Sequence, residues 1–240
     1  MRKEMTTLTP GRQFVLGALF AGQLNSGINA AGILICLTQN SDWQARARDE
    51  VESVAAKYSP GSTLSLPERL AAVPLAAWES EFTVLELCLR ESIRIHMVGA
   101  SFRKNLSGKA LRVGEHVVPD GSCLMYHLSD VHMNPDIYPE PLRFDPGRFL
   151  PDRAEDKRRP LGYIGWGVGR HPCPGQRFAK LESNVITAFF LAYFDFDFCD
   201  AKGTTEGAVP PQVNLNAFSA HKPKEPTFLK LKRRSDVTAA

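Results

Sequence analysis

The chain has 240 residues, 43% hydrophobic and 23% charged, a balance that belongs to a globular protein and excludes a wholly disordered one. A formal net charge of +3 is small for this length, so charge alone demands neither nucleic acid nor an anionic membrane as a partner. Five cysteines (Cys36, Cys88, Cys123, Cys173, Cys199), odd in number, irregularly spaced and without a C-x-x-C pair, exclude a small disulfide-stapled scaffold and point to a reducing compartment. Four of them sit in apolar surroundings and read as small buried hydrophobes, with Cys173 the exception.

From about Arg12 to Lys57 the spacing predicts two helices. The first contains FVLGALFAGQLNSGINAAGILICL, which carries no charge and exceeds the roughly 20 residues needed to cross a bilayer. Gly22, Gln23, Asn25, Ser26, Gly27 and Asn29 cluster at its middle, where hydrocarbon would solvate amides poorly, so a buried helix of a globular protein is expected over a membrane span. A helix polar at its centre and apolar at both ends also suggests a binding groove opposite that centre. The second, SDWQARARDEVESVAAKY, is amphipathic, with Ser41 or Asp42 as its expected cap.

A Ser-, Pro- and Gly-rich loop at 58–67 leads to a helix expected at about Trp78–His96, where Phe82, Leu85, Leu89 and Ile93 recur at helical spacing. Glu91 and Arg94 share a face there; read alone, they form a surface ion pair worth a few tenths of a kcal/mol, although both lie late in a strongly apolar helix. KALRVGEHVVPDGSCLMYH at 109–127 reads as a hairpin turning at Pro119-Asp120-Gly121. Residues 129–160 hold six prolines and little periodicity, as an ordered meander or a linker would. Tyr138, Phe144, Phe149 and Leu150 argue for order, so no boundary is placed there and residues 1–240 are expected to form one domain.

After Cys173, PGQRFAKLESNVITAFFLAYF places Phe178, Leu181, Val185, Ile186 and Phe189 on one helical face, with Pro174 suited to the first helical position. YFDFDF and TFLKLKRR alternate with period two and read as strands joined through the Gly- and Pro-containing segment 203–211.

Between the meander and that helix lies GWGVGRHPCPG at 165–175, a glycine-rich loop that sets one cysteine between two prolines. A thiolate at a helix N-terminus is favoured by unpaired backbone N–H groups, and Arg170 and Arg177 add cationic charge nearby. Nucleophile, redox sensor and metal ligand all remain open. His171, two residues away, is poorly spaced to converge with Cys173 as its base, and the six histidines (96, 116, 127, 132, 171, 221) show no zinc-binding pair. A single thiolate among glycines suits a large planar cofactor, because glycines let the backbone approach its face.

Four segments in order resemble the cytochrome P450 family. Trp166-Gly167-Val168-Gly169-Arg170-His171-Pro172-Cys173-Pro174-Gly175 resembles the haem-binding loop F-x-x-G-x-R-x-C-x-G, with Trp in place of Phe and His171 at the usual Arg. The G-R-H-x-C-x-G form resembles the sterol-demethylase branch. Glu91-Ser92-Ile93-Arg94 is similar to E-x-x-R, and Phe144-Asp145-Pro146-Gly147-Arg148-Phe149 to the P-x-R-F meander whose Arg completes a buried ion-pair cluster. Ala21-Gly22-Gln23-Leu24-Asn25-Ser26 resembles the A-G-x-D/E-T stretch of the long central helix.

The resemblance implies a mainly α fold with small β-sheets, the C-terminal portion of a P450-like domain with the N-terminal part missing. Its landmarks would be the central helix at about 12–38, the E-x-x-R helix at about 78–96, the meander at about 129–160 and the haem-thiolate loop at 165–175. It implies haem b (iron protoporphyrin IX) with Cys173 as the axial iron ligand, and Arg103, Trp166, Gly167, His171 and Gly175 as further cofactor-binding residues. Gly22, Asn25 and Ser26 would be the catalytic residues of a haem-thiolate monooxygenase that inserts one oxygen atom of O2 into a hydrophobic organic substrate.

Leu24 and Asn25 replace the family's proton-relaying acid and threonine, which keeps open a haem-thiolate isomerase or dehydratase that needs no reductase. A truncated, non-catalytic haem-binding fragment is the other alternative. For the monooxygenase, an NADPH-dependent reductase is the implied partner, docking on Arg153, Lys157, Arg158, Arg159, Arg170, Arg177 and Lys180; no nucleic acid is implied. The endoplasmic reticulum membrane is the implied location, with association through the missing N-terminal region.

Overall fold

A computed structural model describes residues 9–217, 223 and 225–234. Helix α1 (Pro10–Thr38) starts on a proline, whose fixed φ and missing N–H suit a first helical turn. By length and composition α1 could cross a membrane. Ser26, Asn29, Ala30, Ile33, Leu34 and Leu37 recur at three- and four-residue steps and are buried, which makes this half a core helix. The expectation of a buried helix fails before Ser26: Phe14, Leu19 and Phe20 are 62–76% exposed, because α2, α5 and α7 cover only the later turns.

Helix α2 (Ser41–Tyr58) buries Ala47, Val51, Val54 and Ala55 on one face. Ser41 and Asp42 lie inside it rather than capping it: Asn40 is at the cap position, and its amide turns back 2.8 Å to the Cys36 carbonyl. The helix expected at Trp78–His96 is divided. After α3 (Leu66–Ala71), α4 (Leu75–Ser80) stops at Glu81, whose carboxylate is held by Lys57 at 2.8 Å, and α5 (Thr83–His96) begins anew. Glu50 of α2 caps α5, accepting from the Thr83 hydroxyl (2.9 Å) and the backbone N–H groups of Val84 (2.7 Å) and Leu85 (3.0 Å). A carboxylate from another helix thus satisfies the orphan donors and fixes the break.

The expected hairpin across Pro119-Asp120-Gly121 is also re-partnered. That segment does turn, with Gly121 at φ +76°, but the strands on either side pair elsewhere. Strand β2 (Leu111–Val113) pairs with β3 (His116–Val118) around Gly114, and β1 (Ala100–Lys104) pairs with β4 (Cys123–His127), setting Arg103 opposite Leu124. Asn105 provides the reason: its Nδ2 lies 2.9–3.1 Å from the carbonyls of Lys109, Val118 and Pro119, knotting the base of the small hairpin onto the end of β1. Cys123 on β4 is exposed, unlike the buried hydrophobe expected there; no disulfide joins the five cysteines.

Helix α6 (Ser129–His132) opens the meander, which is ordered and includes 3-10 turns at Pro146–Phe149 and Glu155–Lys157. Helix α7 (Gln176–Tyr193) starts two residues later than the proline suggests, with Gly175 at its N-cap. Its buried face differs from the expected aromatic stripe: Phe178 is 62% exposed and Ile186 39% exposed, while Ser183, Asn184, Thr187, Ala188, Leu191 and Ala192 face inward. Small side chains let α7 approach α1, α2 and α5 closely, and the larger residues flank that contact. The two expected strands, β5 (Phe194–Cys199) and β6 (Phe228–Arg233), pair antiparallel, with Phe196 and Phe198 buried and alternating with exposed Asp195 and Asp197. The core lies among the later half of α1, α2, α5 and α7.

Candidate functional site

The site rests on a buried ionic cluster. Glu91, at the inner face of α5, is fully buried and accepts a two-pronged contact from Arg94, Nε to Oε2 and Nη2 to Oε1, both at 2.8 Å. Its Oε1 also accepts from Arg148 Nε (3.2 Å) and from the Asp145 backbone (3.0 Å). Arg148 continues to Glu155 Oε2 (2.8 Å) and to the carbonyls of Pro139 (2.6 Å) and Glu140 (2.9 Å). Two carboxylates and two guanidinium groups therefore balance in charge, and main-chain carbonyls take the remaining donors, the condition under which burying such charges is tolerable.

These bonds fold the meander against α5. Glu140, Ala154 and Leu161 hold left-handed backbone at φ +49°, +38° and +60°, conformations that non-glycine residues keep only when their surroundings over-determine them. Arg90 pairs with Asp156 at 2.7 Å while its guanidinium lies over the rings of Phe149 (4.4 Å) and Tyr163 (4.7 Å). The chain then climbs toward the cysteine. Tyr138 donates to Gly162 O (2.8 Å), and the Ile164 N–H donates to His132 Nε2 (3.1 Å). At Gly165 a Cβ would stand 2.4 Å from Ile93 Cγ2, so only glycine lets the loop root lie directly on α5.

Beyond that root the loop is open. Gly167 N–H donates to Ile164 O (2.9 Å), Cys173 N–H donates to Trp166 O (2.7 Å), and Gly167 and Gly169 take φ of +74° and +77°. The loop thus doubles back and presents Cys173, exposed, just before the N-cap of α7. Trp166 packs partly buried against the core, while Gly167 and His171 are exposed.

A model of the cytochrome P450 family matches residues 3–224. The chain belongs to the cytochrome P450 family. It is 38% identical over 206 residues to cytochrome P450 monooxygenase AacuE of Aspergillus aculeatus, covering 85% of this chain and 41% of that protein. It is 37% identical over 210 residues to cytochrome P450 monooxygenase nsrP of Aspergillus novofumigatus, covering 87% of this chain and 40% of that one. The solved structure of retinoic acid-bound cyanobacterial CYP120A1 superposes with a TM-score of 0.69 and 26% identity, over 92% of this chain and 45% of that chain. The fold is accordingly that of a P450, mainly helical with small sheets, and the chain spans about two fifths of the length of the curated relatives it matches.

P450 membership implies haem, and the residues fit one. Among the described residues no cluster of three or more His, Cys, Asp or Glu side chains could hold a metal ion, so a metal at Cys173 must bring its other donors with it, as a porphyrin does. The exposed sulfur beside glycines without Cβ atoms leaves room for a flat macrocycle.

The other residues expected at the P450 site are not all joined to this loop. Gly22 and Asn25 are half-buried on α1 and Ser26 is buried at 4% exposure. Asn25 Nδ2 donates back to Ala21 O (3.0 Å), so the amide is partly engaged by its own helix. Arg103 stands exposed on β1 with its guanidinium on the Phe102 carbonyl (2.8 Å), and no hydrogen bond or ion pair among the described residues ties it to residues 165–175. Five of the seven basic residues expected to form a docking face have carboxylate partners. Arg177 pairs with Glu79 (2.6 Å), Lys180 with Glu86, Arg153 with Asp145 and Glu155, Arg158 with Glu155 (3.8 Å) and Arg159 with Asp136 (3.6 Å).

Sequence reasoning gave no site role to Glu155, His132 or Asn29. Glu155 completes the ionic cluster, and Asn29 is buried one turn after Asn25 with Oδ1 unpartnered and its carbonyl accepting from Ser92 (3.4 Å). Only for Asn29 was there a signal, the i, i+4 spacing of two amides in an apolar helix.

Proposed function

We propose that this chain carries the haem-thiolate half of a monooxygenase acting on a hydrophobic organic substrate. The observation that carries the reading is Cys173, exposed at the tip of a glycine loop whose root is pinned to the Glu91–Arg94–Arg148 cluster. Haem b, bound through Cys173, supplies reduction of O2 and transfer of one of its oxygen atoms. Cys173 binds the iron as thiolate, and the amides of the loop moderate the sulfur's charge. Gly167 and Gly175 would let the backbone come close to the macrocycle, Trp166 would pack beside it, and His171 and Arg103 would offer hydrogen-bond donors to its propionates.

On α1, Gly22, which has open space where a Cβ would stand, would leave room for bound oxygen, Asn25 would orient water through its Oδ1, and the Ser26 hydroxyl would supply the hydrogen bond that an acid and threonine otherwise provide. Electrons come from an NADPH-dependent reductase, docking at Lys157 and Arg170, the two of the seven expected basic residues that have no carboxylate partner among the described residues. The endoplasmic reticulum membrane is the proposed setting.

Leu24 favours a second reading, since no titratable side chain stands where the family relays protons: a haem-thiolate isomerase or dehydratase that rearranges a peroxide. Incubating the haem-loaded chain with a fatty-acid hydroperoxide, without NADPH or reductase, separates the two. A monooxygenase leaves it without a rearranged isomer; accumulation of that isomer overturns the first reading.

A further inference from the structure

His132 lies at the end of α6 in the proline-rich meander, far in sequence from both Arg94 and the cysteine, and it is fully buried. Its two halves face two different parts of the site. Its carbonyl accepts from Arg94 Nη1 at 2.7 Å, and its ring accepts at Nε2 from the Ile164 N–H at 3.1 Å.

An amide N–H can only donate, so Nε2 is bare and the ring proton sits on Nδ1, which has no partner. Burial, and then the nearby Arg94 charge, push this imidazole down to about 3, so it stays neutral and able to accept. The ring stacks on Tyr163 at 5.2 Å. From here a run of hydrogen bonds and adjacent residues reaches the backbone of Cys173: Arg94 to His132 O, Ile164 N to His132 Nε2, Gly167 N to Ile164 O, Cys173 N to Trp166 O.

We propose that His132 is the positioning residue of the cysteine loop, joining the ionic cluster to residue 164 and thereby fixing where Cys173 presents its sulfur. A tyrosine at 138 and glycine at 165 also anchor the loop root, so loss of the His132 bond loosens the segment from 164 to 173 without unfolding α5. The consequence for an iron ligand rests on the haem-thiolate reading; the bond itself does not.

The test compares the whole chain with His132→Leu, which removes the acceptor, and His132→Gln, which keeps an acceptor at similar reach. In hydrogen exchange, His132→Leu is expected to speed the Ile164, Gly167 and Cys173 amides about tenfold or more, with Leu89 and Ile93 unchanged, and His132→Gln to restore most of the protection. Unchanged exchange at 164, 167 and 173 overturns the proposal, as does an equal acceleration of the α5 amides.

The unsubstituted chain offers a check that needs no variant: a scalar coupling across the hydrogen bond from the Ile164 amide nitrogen to His132 Nε2 supports it, and absence of that coupling overturns it. In the haem-loaded, reduced chain under carbon monoxide, His132→Leu is expected to lower the share of the thiolate-type Soret band and His132→Gln to recover it; an unchanged share overturns the role. If no form shows that band, the haem-thiolate reading fails while hydrogen exchange still decides on His132.

Discussion

Glu91, Arg94 and Arg148 are 0–1% exposed and bonded to one another and to surrounding carbonyls, whereas Gly167 to Pro174, which carries the thiol, is exposed throughout. Within that exposed stretch the backbone is tied back chiefly by Gly167 to Ile164 and by Cys173 to Trp166. The two regions meet where the backbone of Gly165 lies against Ile93, the neighbour of Arg94, and the contrast divides their work. The cluster supplies stability and a fixed frame; the loop supplies reach and room. A ligand for a large planar group needs both, because an exposed sulfur on an unanchored loop would sample many positions, and a buried one could not admit the macrocycle.

The largest effect should come from breaking the frame. Arg94→Ala leaves Glu91 buried beside an unmatched partner set and should lower stability by about 3–5 kcal/mol in urea unfolding. Arg94→Lys, which keeps the charge but not the planar fork, should fall between it and the unsubstituted chain.

Next, alanine at two glycines should separate frame from loop. Gly165→Ala drives a Cβ into Ile93 and should cost about 1–3 kcal/mol, while Gly169→Ala, with open space but φ +77°, should cost about 1 kcal/mol of backbone strain. Equal losses at the two would erase the distinction.

The third prediction concerns acid. His132 is neutral in the fold and its unfolded form takes up a proton as pH falls through about 6.5, so its contribution is full above that value and declines down to about 3. Burial moves His96 in the same direction. Between about pH 7.5 and about pH 5.5 the His132 share of this loss is about 1 kcal/mol, and it should vanish in His132→Gln; the same slope in that variant would refute the assignment.

What the sequence allowed one to foresee follows the range of each interaction. Cys173, Glu91, Arg94 and Arg148 stand in short local patterns, and the ion-pair cluster and the loop before α7 are where those patterns imply. The long helices follow from apolar spacing. Features set by distant partners were not legible: Glu50 ending the expected helix at Phe82, Asn105 re-pairing the hairpin, and His132 binding Ile164 all depend on contacts across more than ten residues. The inward face of α7 was misread because size favours Phe178 and Ile186, whereas close approach of helices favours Ala188 and Thr187. The early half of α1 is as apolar as the late half, and only the position of its neighbours distinguishes the two.

The central claim, that Cys173 presents a thiolate to haem iron, is tested most directly by the absorption spectrum of the haem-supplemented, reduced chain under carbon monoxide beside Cys173→Ala. A thiolate-type Soret band that is present in the first and lost in the second is the predicted result. The same spectrum from both, or no such band from either, would contradict it.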